Sequence, residues 1–77
     1  MKALWKDGRV FAGATSDDVL QAVKDSSPFT ARFTLAEYRE ALGDFIAALG
    51  LGHVRTTSSR EYLLDLERLG LIIIRED

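Results

Sequence analysis

Seventy-seven residues with a formal net charge of −2 make one small domain, residues 1–77, near the lower limit at which a chain folds alone and buries only about 60% of its unfolded surface. With 47% hydrophobic residues and charges of both signs mixed along the chain, a disordered composition is excluded, and the basic footprint that phosphate neutralisation demands is missing. Cysteine is absent, which rules out disulfides, thiolate metal ligands and Cys/His chemistry.

Charges at Lys2, Lys6, Asp7 and Arg9 interrupt the apolar stretch that a signal peptide needs, and the longest apolar run, residues 71–74, is too short to cross a membrane. A cytoplasmic domain without a membrane contact is expected.

The first predicted element is a β-hairpin. Asp7-Gly8 stands between two apolar runs and suits a two-residue type I′ turn, both positions of which require a positive φ. Such a turn pairs Trp5 with Val10, Leu4 with Phe11 and Ala3 with Ala12, placing Trp5 and Val10 on one side of the ribbon and Leu4 and Phe11 on the other. Neither side is polar.

A first helix follows in "TSDDVLQAVKD", with Thr15 or Ser16 as N-cap and Asp17 and Asp18 favouring the positive end of the helix dipole. Its apolar side holds Val19, Leu20, Ala22 and Val23. Pro28 turns Ser27 away from helical geometry, so residues 26–33 are expected to form a loop that carries Phe29 inward. Thr34-Leu-Ala-Glu37 then reads as a capping box, with Phe33 and Tyr38 as a hydrophobic staple. Leu35, Tyr38, Leu42, Phe45, Ile46 and Leu49 fall in one arc of this second helix and predict its buried stripe, opposite Glu37, Glu40 and Asp44. Gly50 ends it, and residues 53–57 look extended.

Ser58-Ser-Arg-Glu61 repeats the capping-box pattern at the start of a third helix that ends at Gly70. Tyr62, Leu63, Leu66 and Leu69 line its inner side; Leu64 lies outward with Arg60, Glu61, Glu67 and Arg68. The last strand, residues 71–75, has apolar residues on both sides and is expected to be buried on both. The order ββαααβ predicts an α+β fold, a three-stranded antiparallel sheet packed on a helical layer with the two ends of the chain meeting in the sheet.

Catalytic chemistry has little to build on. His53 is the single histidine, so any Ser/His/Asp site would depend on it, and no two carboxylates are placed by pattern in a shared cleft. "DGRVFAG" lacks the alternating oxygen ligands of a calcium loop, and Gly50-Leu51-Gly52 follows a helix where a phosphate cradle opens one. No enzyme activity, cofactor or metal is expected.

"TSSREYLLDLERLGLIII", residues 57–74, resembles the recognition helix and first wing strand of winged-helix DNA-binding domains. The resemblance implies that Ser59, Arg60, Leu64 and Arg68 face DNA. Burial alone also accounts for the pattern, as a helix-glycine-strand unit with one helix side and the strand in the core.

Three short helices on one side cover one sheet face, whereas both faces of the hairpin and last strand are apolar. The leading expectation is therefore a non-enzymatic interaction or accessory module. It would meet a protein partner or a second copy of itself through the sheet, with Trp5 and Val10 or Leu4 and Phe11, together with Ile72 or Ile73, and with Leu64 as a further contact. The alternative is a winged-helix-like DNA binder using Arg60, Leu64 and Arg68 with Lys6 and Arg9 at the hairpin tip.

Overall fold

The computed structural model describes residues 1–76. Its elements are β1 (Lys2–Trp5), β2 (Val10–Ala12), α1 (Ser16–Asp25), α2 (Leu35–Ala48), α3 (Ser59–Arg68) and β3 (Ile72–Arg75). The strands form one antiparallel sheet in the order β2-β1-β3, so the fold is α+β with the ββαααβ order. Lys2 pairs with Arg75, which joins the two ends of the chain on the sheet.

Asp7-Gly8 does turn the hairpin, but through three residues. The Gly8 N–H donates to Trp5 O (3.0 Å), the Trp5 N–H donates to Arg9 O (2.9 Å), and Gly8 alone in this turn has a positive φ, 94°. This is the three-residue loop in which a left-handed glycine closes a bulge. Asp7 prefers it for a local reason. Its carboxylate accepts from the Arg9 N–H (3.1 Å) and Arg9 Nε (2.7 Å), an Asx-type turn that leaves Asp7 out of the left-handed region.

The consequence is a register one residue away from the expected one: Ala3 pairs with Phe11 and Leu4 with Val10. A one-residue slip exchanges the faces of a strand. Trp5 and Phe11 therefore share a side, their rings edge to face at 5.3 Å, while Val10 joins Leu4 on the other. On β3, Ile72 and Ile74 pair with Trp5 and Ala3, and Ile73 pairs with Leu4.

The helices cover the side that carries Ala3, Trp5, Phe11, Ile72 and Ile74, α1 packing on β2 and α3 on β3. The opposite side is open. Val10 is 55% and Ile73 53% exposed, so β3 is buried on one face, contrary to the expectation of two. The free edge of β3 is partly closed by Glu67, whose Oε2 accepts the Ile74 N–H at 2.8 Å.

The caps agree with the sequence pattern. Thr15 Oγ1 accepts the Asp18 N–H (3.2 Å) at α1, and the Thr34/Glu37 box closes reciprocally at 3.1 and 2.8 Å at α2. At α3 only half the box forms: Ser58 Oγ accepts the Glu61 N–H (3.1 Å), while the Glu61 carboxylate turns to Thr57 and Arg55. Both α2 and α3 end with a backbone N–H returning to the last turn, Leu51 to Ile46 O (3.2 Å) and Leu71 to Leu66 O (3.0 Å).

Two apolar expectations are corrected. In α2 the buried side is rotated: Tyr38, Gly43 and Ile46 are buried, whereas Phe45 and Leu49 are 58% and 57% exposed. The rotation follows from Gly43, against whose bare backbone the extended residues 54–56 lie so closely that a Cβ would stand 2.8 Å from Thr56 Cγ2. Arg39 secures that segment by donating to Thr56 O (2.9 Å) and Ser59 Oγ (3.0 Å).

The second correction concerns Phe29, which is 81% exposed. The loop after α1 is held instead by Lys24, a buried lysine whose Nζ donates to Ala31 O (2.6 Å) and Asp25 Oδ1 (2.8 Å). Thr30 Oγ1 in turn donates to Lys24 O (2.7 Å). Phe33 does pack on the core.

Candidate binding surfaces

The open sheet face is built by strand alternation. One residue from each strand, Val10, Leu4 and Ile73, stands in a row across the sheet, and Ala12, Lys2 and Arg75 form the neighbouring row. The first row is apolar and belongs to no core cluster among the described residues; the second carries two adjacent cations. Of the residues expected to make a contact surface, Leu4, Val10 and Ile73 lie here. Trp5, Phe11 and Ile72 lie on the helix-covered side, and Leu64 is an exposed residue of α3.

Helix α3 separates the residues of the DNA reading into two groups. Arg60, Leu64 and Arg68 are on its solvent side. Lys6 and Arg9 line a cleft with Tyr62 and Leu66, on its inner side. Ser59 is buried and accepts from Arg39. Arg68 donates to His53 O (2.9 Å) and lies 3.7 Å from Asp65.

A carboxylate network runs along α3 from Glu61 to Asp65. Asp65 is buried and accepts from the Arg55 N–H (2.9 Å), Nε (3.0 Å) and a terminal guanidinium nitrogen (3.0 Å). These bonds and the adjacent positive charge hold its pKa down at about 2. Glu61, bonded by Thr57 Oγ1 (2.7 Å) and Arg55 (2.9 Å), is lowered as well. The network fastens residues 55–58 to α3; its charges are spent on each other.

Pattern reading missed a cleft of about 390 Å³ between the hairpin tip, the loop after α1, and the helices α2 and α3. Trp5, Leu42, Ile46 and Leu66 make its wall apolar, and Lys6, Asp7 and Arg9 stand at its rim. Tyr38 and Tyr62 line it too. Tyr62 is only 3% exposed, yet among the described residues neither phenol has a hydrogen-bond partner, and no fully enclosed polar side-chain atom lacks one. Each hydroxyl therefore keeps some contact with solvent. Burial raises both phenol pKa values, opposed at Tyr38 by the charge of Arg9, so both are neutral hydrogen-bond donors near neutral pH. The available signal was chemical: two tyrosines at core positions of facing helices each bring a hydroxyl that must find a partner or water.

A second hollow, about 310 Å³, lies between α2 and residues 53–57 and is lined by both His53 and Asp44. Among the described residues no hydrogen bond joins these two side chains or aims either at the neighbouring Thr56 or Thr57. Among the described residues no group of three acidic or histidine side chains is arranged to hold a metal ion, and no helix is long and apolar enough to cross a membrane. Comparison with protein families, curated proteins and solved structures finds no match to the chain.

Proposed function

We propose that the chain is a small non-enzymatic interaction module that pairs with a second copy of itself through the open face of its sheet. The observation that carries this reading is the uncovered row Val10–Leu4–Ile73, to which all three strands contribute. Sheets stack face to face through such rows at about 10 Å, and a twofold-symmetric interface uses the same patch on both partners. A twofold axis along the row lays apolar residue on apolar residue and sends the Lys2 and Arg75 cations of the two copies to opposite ends.

Sedimentation velocity across a wide concentration range tests it. The expected result is a monomer–dimer equilibrium that persists at high salt and is abolished by Ile73→Glu, with concentration-dependent amide shifts at Leu4, Val10 and Ile73. A chain that stays monomeric at millimolar concentration rejects the reading. DNA reading by α3 draws less support, because Lys6 and Arg9 lie across the helix from Arg60 and Leu64 and Arg68 is engaged by His53 and Asp65.

A further inference from the structure

The 390 Å³ cleft has the make-up of a small-molecule site: a mostly apolar concavity with a few convergent polar groups. Three features narrow what it would take. The wall is aromatic and branched aliphatic, lined by Trp5, Tyr38, Tyr62, Ile46 and Leu66, which suits a flat apolar body. Tyr62, a buried residue that lines the cleft, brings a hydroxyl with no protein partner among the described residues, a donor not spent on the fold. At the rim, Asp7 engages the Arg9 backbone N–H and Nε and leaves both terminal guanidinium nitrogens without a hydrogen bond among the described residues. Stacking over Phe11, 5.8 Å from the ring centre, holds that guanidinium in place, and Lys6 stands beside it. Two cations against one carboxylate make the rim positive.

We infer that this cleft binds a small aromatic carboxylate, its ring between Trp5 and the two tyrosines and its carboxylate at the rim on Arg9. The pairing is by charge complementarity outside and apolar fit inside. A terminal guanidinium edge matches the two oxygens of a carboxylate, and the buried phenols donate to whatever acceptor the ligand carries inward. This site is separate from the sheet face, where Leu4, Val10 and Ile73 point the other way, so either assignment stands or falls alone.

The test is an amide- and side-chain-resolved NMR titration of the whole chain with 2-naphthoate and, in parallel, with the neutral 2-naphthylmethanol. The single tryptophan lines the cleft, so its indole signal reports the site directly. Expected are saturable shifts at Trp5, Tyr38, Ile46 and Leu66 with 2-naphthoate, and weaker binding of the alcohol. Arg9→Gln should weaken 2-naphthoate about tenfold and leave the alcohol unchanged, as loss of one charge-assisted contact at a partly solvated rim does. Equal affinity for the two compounds, indifference to Arg9→Gln, shifts confined to Leu4, Val10 and Ile73, or no saturable shift at millimolar ligand would each overturn the assignment.

Discussion

Arg55 holds Asp65 from two directions, with its backbone N–H at 2.9 Å and its guanidinium at 3.0 Å on both carboxylate oxygens. One residue thus supplies the backbone and the side-chain partners of a buried acid, and so ties an extended segment to a helix. Because the Asp65 pKa is depressed from 3.8 to about 2, the pair stabilises the fold fully above the unfolded carboxylate's pKa. That stability is lost as pH falls from about 4 through about 2. Asp65→Asn should cost about 2 kcal/mol at neutral pH and flatten the acid limb of the stability profile, both measured by urea unfolding at a series of pH values. An unchanged acid limb would mean that another carboxylate governs it.

The hairpin register makes a contrast between neighbours. Phe11 packs edge to face on Trp5 against the core, whereas Val10 is more than half exposed on the open face. Phe11→Ala should cost about 3 kcal/mol and Val10→Thr no more than about 0.5 kcal/mol, read from urea midpoints at concentrations where the chain is monomeric. The two-residue turn would reverse the order, because it puts Val10 beside Trp5.

What could be read from the sequence was local. Thr34 and Glu37, Thr15 and Asp18, and the glycines after α2 and α3 act within a turn of helix, so their residue types announce the caps and the ββαααβ order. The register was not local in the same sense. Asp-Gly serves a two-residue and a three-residue loop, and the Asp7 carboxylate favours the second by accepting the backbone N–H of residue 9. Likewise Phe45 and Leu49 fit the apolar arc of α2, yet the arc was turned by Gly43, whose role depends on a segment eleven to thirteen residues further along, Val54 to Thr56. The cleft was hidden for the same reason: Tyr38 and Tyr62 read as core residues until the hairpin tip, brought across from the other end of the chain, frames them.

Gly43 gives a prediction whose sign depends on that contact. Alanine in the middle of a helix is about 1 kcal/mol better than glycine by propensity alone, but here its Cβ would meet Thr56 Cγ2 at 2.8 Å and Val54 Cγ2 at 3.4 Å. Gly43→Ala should therefore destabilise the chain, by about 1 kcal/mol net of the propensity gain. In a Thr56→Ser background, which removes the obstructing methyl, the same substitution should become stabilising. A double-mutant cycle from urea midpoints measures both; destabilisation that persists in the serine background would show that residues 54–56 are not what limits the site.

Lys24 and Phe29 compete for the role of anchor in the loop after α1. A phenylalanine is the residue expected to hold such a loop, yet here the aromatic ring is in solvent and a lysine is buried, its Nζ on Ala31 O and Asp25 Oδ1. Lys24→Met keeps the length of the stem but leaves the Ala31 carbonyl without its donor, a loss of about 1–2 kcal/mol. Phe29→Ser removes a solvated ring and should change stability by no more than about 0.5 kcal/mol. Amide hydrogen exchange adds a local readout. Phe33, whose N–H donates to Thr30 O within this loop, should lose protection in Lys24→Met and keep it in Phe29→Ser. The reverse pattern would make the aromatic ring the anchor, with the lysine bonds following from a loop already in place.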